Sequence, residues 1–175
     1  QLLWLNLVTD GLQDMALSFE RETDTIMKEK PRKTTESLFE KEMAKQILLS
    51  GLWIGIIVFG VWYILINVLG MEVNHARGYV LALMVFIQNV HVINCRSESK
   101  SVFKNSFKKN PFILITIVGT IILQFIVMEV PALSNVLQTY SIPIKRLVLL
   151  FIASLPVLLV MELYKKIKRN KKQKE

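Results

Sequence analysis

Four blocks of this chain are apolar for long enough to cross a lipid bilayer, and that limits the fold more than any other feature. Residues 46–69 read QILLSGLWIGIIVFGVWYILINVL, and residues 78–94, shorter and more polar, read GYVLALMVFIQNVHVIN. Residues 112–128 read FILITIVGTIILQFIVM, and residues 147–164 read LVLLFIASLPVLLVMELY. A helix of ~20 apolar residues spans ~30 Å of hydrocarbon. Backbone N–H and C=O groups cannot go unpaired in lipid, so each block is expected to be a helix. The whole chain is 52% hydrophobic with a mean hydropathy of +0.40, too apolar for one soluble core.

The opening block, residues 1–19, is only moderately apolar and contains Asp10 and Asp14. It is expected to be a fifth span, because a buried membrane helix can be polar on the side that faces a site. The expected fold class is therefore all-α: a polytopic membrane bundle of five transmembrane helices.

The formal charge of +8 is not spread evenly. Lys and Arg crowd into residues 20–45, 95–109 and 165–175, while the other two connections carry only Arg77, Lys145 and Arg146. The positive-inside rule places the three rich segments, and with them the C-terminus, in the cytoplasm. This distribution fits a membrane better than a nucleic-acid partner, and no nucleic acid is expected. The single cysteine, Cys95, rules out an internal disulfide. Five spans with a cytoplasmic C-terminus put Gln1 outside, and the chain has no initiator Met. It is expected to be the back end of a larger membrane protein. The expected division is an opening helix (1–19), a cytoplasmic loop (20–45), a four-helix bundle (46–164) and a basic cytoplasmic tail (165–175). Within the loop, Lys30-Pro31 predicts a turn, and residues 36–45 predict a short amphipathic helix.

Asn6, Thr9 and Asp10 stand at i, i+3 and i+4, which share one face of an α-helix. They offer an amide oxygen, a hydroxyl and a carboxylate, the hard donors that Ca²⁺ prefers. A charged Asp near the bilayer centre costs at least ~2.5 kcal/mol, which a bound cation would offset. Gly11 tolerates non-helical backbone, and unwinding there would free carbonyls for the site. Spacing alone also allows the plainer reading that Asp10 caps a helix at the interface. Gln88, His91 and Cys95 form a stripe expected to face the bundle interior, with Asn94 beside it. His91 as a metal or proton ligand is weighed there against simple hydrogen bonding to a neighbouring helix. Thr116, Thr120 and Gln124 form a second stripe, read as helix–helix hydrogen bonding. Gly51 and Gly55 make a GxxxG pair. Glu162 is expected to pair with Lys165 or Lys166. The lysine tail suits anionic lipid heads.

The run QLLWLNLVTDGLQDMALSFE resembles the sixth transmembrane helix of P-type cation pumps of the calcium-ATPase kind. The resemblance continues through IMKEKPRK, IQNVHVINCRSES, VFKNSFKKNPF and ASLPVLLVMELYKKIKR, in the family's order. It implies that the chain is helices six to ten of a ten-helix pump. It implies that Asn6, Thr9 and Asp10 coordinate the transported cation, Ca²⁺ first, with further ligands from the fourth and fifth helices. Gln88 stands where two-calcium pumps have Glu, which implies one ion site with Gln88 as a neutral support. Gln13-Asp14 replaces the Pro-Ala of many relatives. The loop at 20–45 becomes a coupling contact with cytoplasmic domains, and the GxxxG face a seat for the fifth helix.

The chain has neither a Walker-type GKS or GKT segment nor an Asp-Lys-Thr-Gly phosphorylation segment. ATP and Mg²⁺ would act only through other domains of the parent pump, and this chain alone is not expected to hydrolyse ATP. Its partners are then membrane lipid, the preceding helices and the cytoplasmic domains of the same pump. The expected location is a bacterial plasma membrane. Two rival readings are a subunit of a cation channel or secondary transporter, and a purely structural membrane bundle.

Overall fold

A computed structural model describes residues 1–20, 41–97, 101–102 and 106–172. The expected turn at Lys30-Pro31 and the first half of the expected helix over 36–45 lie outside the described residues. So does the end of the basic tail, 173–175.

Every regular element among the described residues is helical. The opening segment runs without a break through α1 (Leu2–Leu5), a π-helical stretch (Asn6–Gly11) and α2 (Leu12–Ser18). Next come α3 (Lys41–Tyr63), which continues as a π-turn over Ile64–Val68, and α4 (Val73–Cys95). They are followed by α5 (Phe112–Glu129), the short α6 (Pro131–Leu137) and α7 (Ile144–Lys172). Four stretches are long and apolar enough to cross a membrane: Met43–Val68, Val73–Cys95, Phe112–Glu129 and Ile144–Asn170. The arrangement is the all-α membrane bundle expected.

The opening helix is not among these four stretches, and its place in the bundle is set by the contacts at its two ends. Gln1 Nε2 donates to the Leu137 carbonyl (3.0 Å) at the close of α6, at one end of the bundle. At the other end, beyond α2, Glu20 is ion-paired with Arg96, which caps α4. The opening helix therefore runs between the same two ends as its neighbours.

Helix α4 is the centre. It packs along α7 and also touches α3, α5 and the opening helix. Ala76, Tyr79, Ala82, Leu83, Phe86 and Ile87 of α4 meet Leu147, Leu150 and Val157 of α7 in the main core. The alanines let the two backbones approach closely, the device membrane helices use when no hydrophobic force separates protein from lipid. Two corners set the register. Gly70, at φ +59°, closes the helix before α4, with Met71 N–H bonded to the Leu65 carbonyl (2.9 Å). Pro131 opens α6 at a position where its missing N–H costs nothing.

Candidate cation site

The six residues NLVTDG are the π-helical stretch of the opening helix. The expected unwinding at Gly11 is corrected here: Gly11 has φ −60° and ψ −45°, ordinary helical values. The chain takes a wider turn instead of breaking. A Cβ at Gly11 would stand 3.4 Å from the Asn6 carbonyl oxygen, at the edge of ordinary van der Waals contact. Single π-turns within α-helices occur often at functional sites.

The wider turn also alters which side chains share a face. Thr9 is fully buried, Asp10 half-buried and Asn6 exposed. An i→i+5 turn holds more residues than an α-turn, so positions three apart drift onto different sides. Thr9 turns toward α4, while Asn6 remains on the open side.

Gln88 of α4 joins the two inward members. Its Nε2 donates to Asp10 Oδ1 (2.8 Å), and its Oε1 accepts from the Thr9 hydroxyl. The Thr9 hydroxyl also lies 2.6 Å from the Leu5 carbonyl. Its one proton serves one acceptor at a time. Asp10 Oδ2 and the Asn6 side chain make no hydrogen bond among the described residues. The structure thus brings Thr9, Asp10 and Gln88 together, and leaves Asn6 unbonded on the open side.

A second polar layer lies one turn on. Asn89 Oδ1 accepts from Gln13 Nε2 (2.8 Å) and from Thr120 Oγ1 (2.8 Å), and its Nδ2 donates to the Val85 carbonyl (2.9 Å). Trp4 Nε1 donates to Gln124 Oε1 (3.0 Å). Thr120 and Gln124 therefore bond between helices, as expected, whereas Thr116 bonds back to the Ile113 carbonyl of its own helix (2.9 Å). Sequence reasoning passed over Asn89, although it adjoins Gln88 in IQNVHVIN. Replacing Asn89 by Leu removes two interhelical bonds: it strands the Gln13 amide in an apolar interior, while the Thr120 hydroxyl falls back on the Ile117 carbonyl (2.9 Å) of its own helix. At ~0.6 to 1.7 kcal/mol per interhelical bond, the expected loss is about 1–3 kcal/mol, read as a lowered thermal midpoint in detergent. An unchanged midpoint would remove Asn89 from the framework of the site.

The stripe Gln88, His91 and Cys95 does not face the interior throughout. Gln88 and His91 are half-buried and Cys95 is exposed, while Asn89 and Asn94 are the buried polar residues of α4. A single step along a helix turns a side chain through more than a quarter of a circle. The interior-facing line thus runs beside the expected stripe.

A family model described as "Cation transporting ATPase, C-terminus" matches residues 1–167. The chain belongs to the cation-transporting ATPase C-terminal family. It is 31% identical over 142 residues to a calcium-transporting ATPase of Bacillus subtilis, covering 81% of this chain and 16% of that protein. It is 26% identical over 184 residues to calcium-transporting ATPase 1 of Bacillus cereus, covering 97% and 21% respectively. It is 29% identical over 175 residues to the human calcium-transporting ATPase type 2C member 1, covering 99% and 19%. The chain thus spans about a fifth or less of the length of these relatives.

Within this cation-transporting ATPase C-terminus, the expected Glu162 ion pair is also corrected. Glu162 accepts from Ser101 Oγ (2.7 Å) and the Val102 N–H (2.8 Å), which hold the loop after α4 against α7. Lys165 turns the other way, and its ammonium donates to the Asn94 carbonyl (2.7 Å). The GxxxG glycines Gly51 and Gly55 have no neighbour within 4 Å of an added Cβ, so that face of α3 is uncovered in this chain.

Proposed function

We propose that this chain is the membrane part, helices six to ten, of a P-type calcium pump, and that it contributes ligands for the transported ion. Asp10 carries the reading. Gln88 tethers one of its carboxylate oxygens and leaves the other unpartnered on the half-open side of the π-turn. Such an oxygen is oriented, charged and free to meet a cation. Asn6, on the open side, supplies an amide oxygen. Thr9, held between Leu5 and Gln88, adds its hydroxyl oxygen or orients Gln88.

The ligands from this chain fall short of the 6 to 8 oxygens usual for Ca²⁺. Helices outside it complete the shell, packing on exposed surfaces such as Leu3 and Leu7 of the opening helix and the open glycines of α3. Gln88, neutral and already bonded to Asp10, supports one ion rather than creating a second site. ATP and Mg²⁺ act through the cytoplasmic domains of the parent. Glu20, gripped by Arg96 and Asn110, fixes the end of the opening helix and is the point through which the cytoplasmic domains act on it. The bacterial relatives support a bacterial plasma membrane as the host.

The test is calcium dependence of ATP hydrolysis by the full-length protein. Asn6→Ala removes one neutral ligand, and a loss of about 1.4 kcal/mol raises the half-activating calcium concentration about tenfold. Thr116→Ala, away from the site, leaves it unaltered. An Asn6→Ala protein activated at the wild-type calcium concentration takes Asn6 out of the site.

A further inference from the structure

A second polar cluster lies outside the cation site. Where α3, α4 and α7 meet, at the end of the bundle marked by Arg96, a cavity of about 210 Å³ opens. Gln46 and Ser50 of α3, His91, Asn94 and Cys95 of α4, and Lys165 of α7 line it. Its described lining contains no acid. The nearest carboxylate of α7, Glu162, is turned away to Ser101 and Val102.

Lys165 is 2% exposed and Asn94 3% exposed. The Lys165 ammonium has three donors, of which one goes to the Asn94 carbonyl. That bond caps the last turn of α4 and accounts for a lysine here. It leaves two donors unused. Both polar atoms of the Asn94 side-chain amide, and Nδ1 of His91, are buried without a partner. Buried polar groups in native proteins are nearly always satisfied. The cavity therefore presents the Lys165 ammonium, which Glu162 offsets only from outside the lining, with two free donors on it, a free amide on Asn94 and at least one free acceptor.

A monoprotonated phosphate group matches that set. It carries negative charge, several acceptor oxygens and one O–H donor, which a halide lacks. We propose that this cavity binds a phosphate group, with Lys165 as counter-charge and Asn94 and His91 hydrogen-bonded to its oxygens. The group comes either from free phosphate or from the headgroup of a phosphomonoester lipid such as phosphatidic acid. The proposal is independent of the cation-site reading.

Cys95 reports on it, because its thiol lines the cavity and is exposed. The full-length protein is purified in dodecyl maltoside, which has no phosphate, and alkylated with a maleimide. Modification is followed by mass spectrometry of the tryptic peptide 78–96, which holds Cys95 as its single cysteine. Millimolar inorganic phosphate slows alkylation several-fold if the free ion binds. Dioleoyl phosphatidic acid slows it, and phosphate does not, if the lipid headgroup is the ligand. Lys165→Arg keeps the protection and Lys165→Gln removes it. No slowing by either probe, equal slowing by chloride at matched ionic strength, or full protection in Lys165→Gln overturns the proposal and leaves a water-filled cavity. Wild-type protection is decisive by itself, so a Lys165→Gln protein that fails to fold does not shelter the idea.

Discussion

Asp10→Asn in the full-length protein abolishes calcium-stimulated ATP hydrolysis. The substitution keeps the side chain's size and leaves an oxygen able to accept from Gln88 Nε2, so the π-turn and its packing persist. What disappears is the one negative charge among the three proposed ligands, Asn6, Thr9 and Asp10. A divalent ion taken out of water depends on that charge, since hydroxyl and amide dipoles cannot replace a carboxylate in a low-dielectric site. Asp14 provides the control. It lies one turn further on and is exposed, with no bond to Gln88. Asp14→Asn keeps calcium stimulation, whereas Asp10→Asn reduces hydrolysis to the calcium-independent background at any calcium concentration. A purely structural bundle predicts the opposite for Asp10→Asn, namely intact stimulation.

The second large effect concerns stability. Glu20 receives two hydrogen bonds from Arg96, Nε to Oε2 (3.1 Å) and Nη2 to Oε1 (3.0 Å), and a third from Asn110 Nδ2 (3.1 Å). The Arg96 side chain is 1% exposed. Its guanidinium also donates to the Ser106 carbonyl (3.0 Å) and lies over the Phe107 ring at 4.6 Å. Glu20→Ala removes the carboxylate that takes two hydrogen bonds from this buried guanidinium. Breaking a buried pair from one side costs about 3 kcal/mol or more. Thermal melting of the full-length protein is expected to show a clear fall in midpoint for Glu20→Ala. Replacing Arg96 by Met in the same protein restores part of that fall, because the cost of burying the guanidinium is removed with it. Equal midpoints for wild type and Glu20→Ala would mean that the cluster contributes nothing to holding α2 against α4.

Most of the architecture is legible in the residues themselves. The spans follow from apolar length, and NLVTDG is conspicuous because three oxygen-bearing side chains interrupt an apolar run. The π-turn is not legible, since α- and π-helical backbones use the same residue types and differ by one residue per turn. That single residue separates Thr9 from Asn6. Gln88 stood out through resemblance, but its bridging of Thr9 and Asp10 needs the rotation of α4 against the opening helix, which spacing does not encode. Asn89 escaped notice, and Asn94 was placed only beside the stripe, because a stripe begun at Gln88 passes beside both. Lys165 reads as one of many tail lysines, yet its long stem carries the ammonium back to the Asn94 carbonyl. The Glu20–Arg96 pair joins residues 76 positions apart, so no local pattern announces it.

Equilibrium calcium binding to the full-length protein, compared between wild type and Asp10→Asn, addresses the cation site without relying on ATP hydrolysis. The account predicts saturable binding of one calcium per wild-type molecule and none in Asp10→Asn at the same concentrations. Calcium bound with unchanged affinity and stoichiometry after the Asp10→Asn substitution would contradict it.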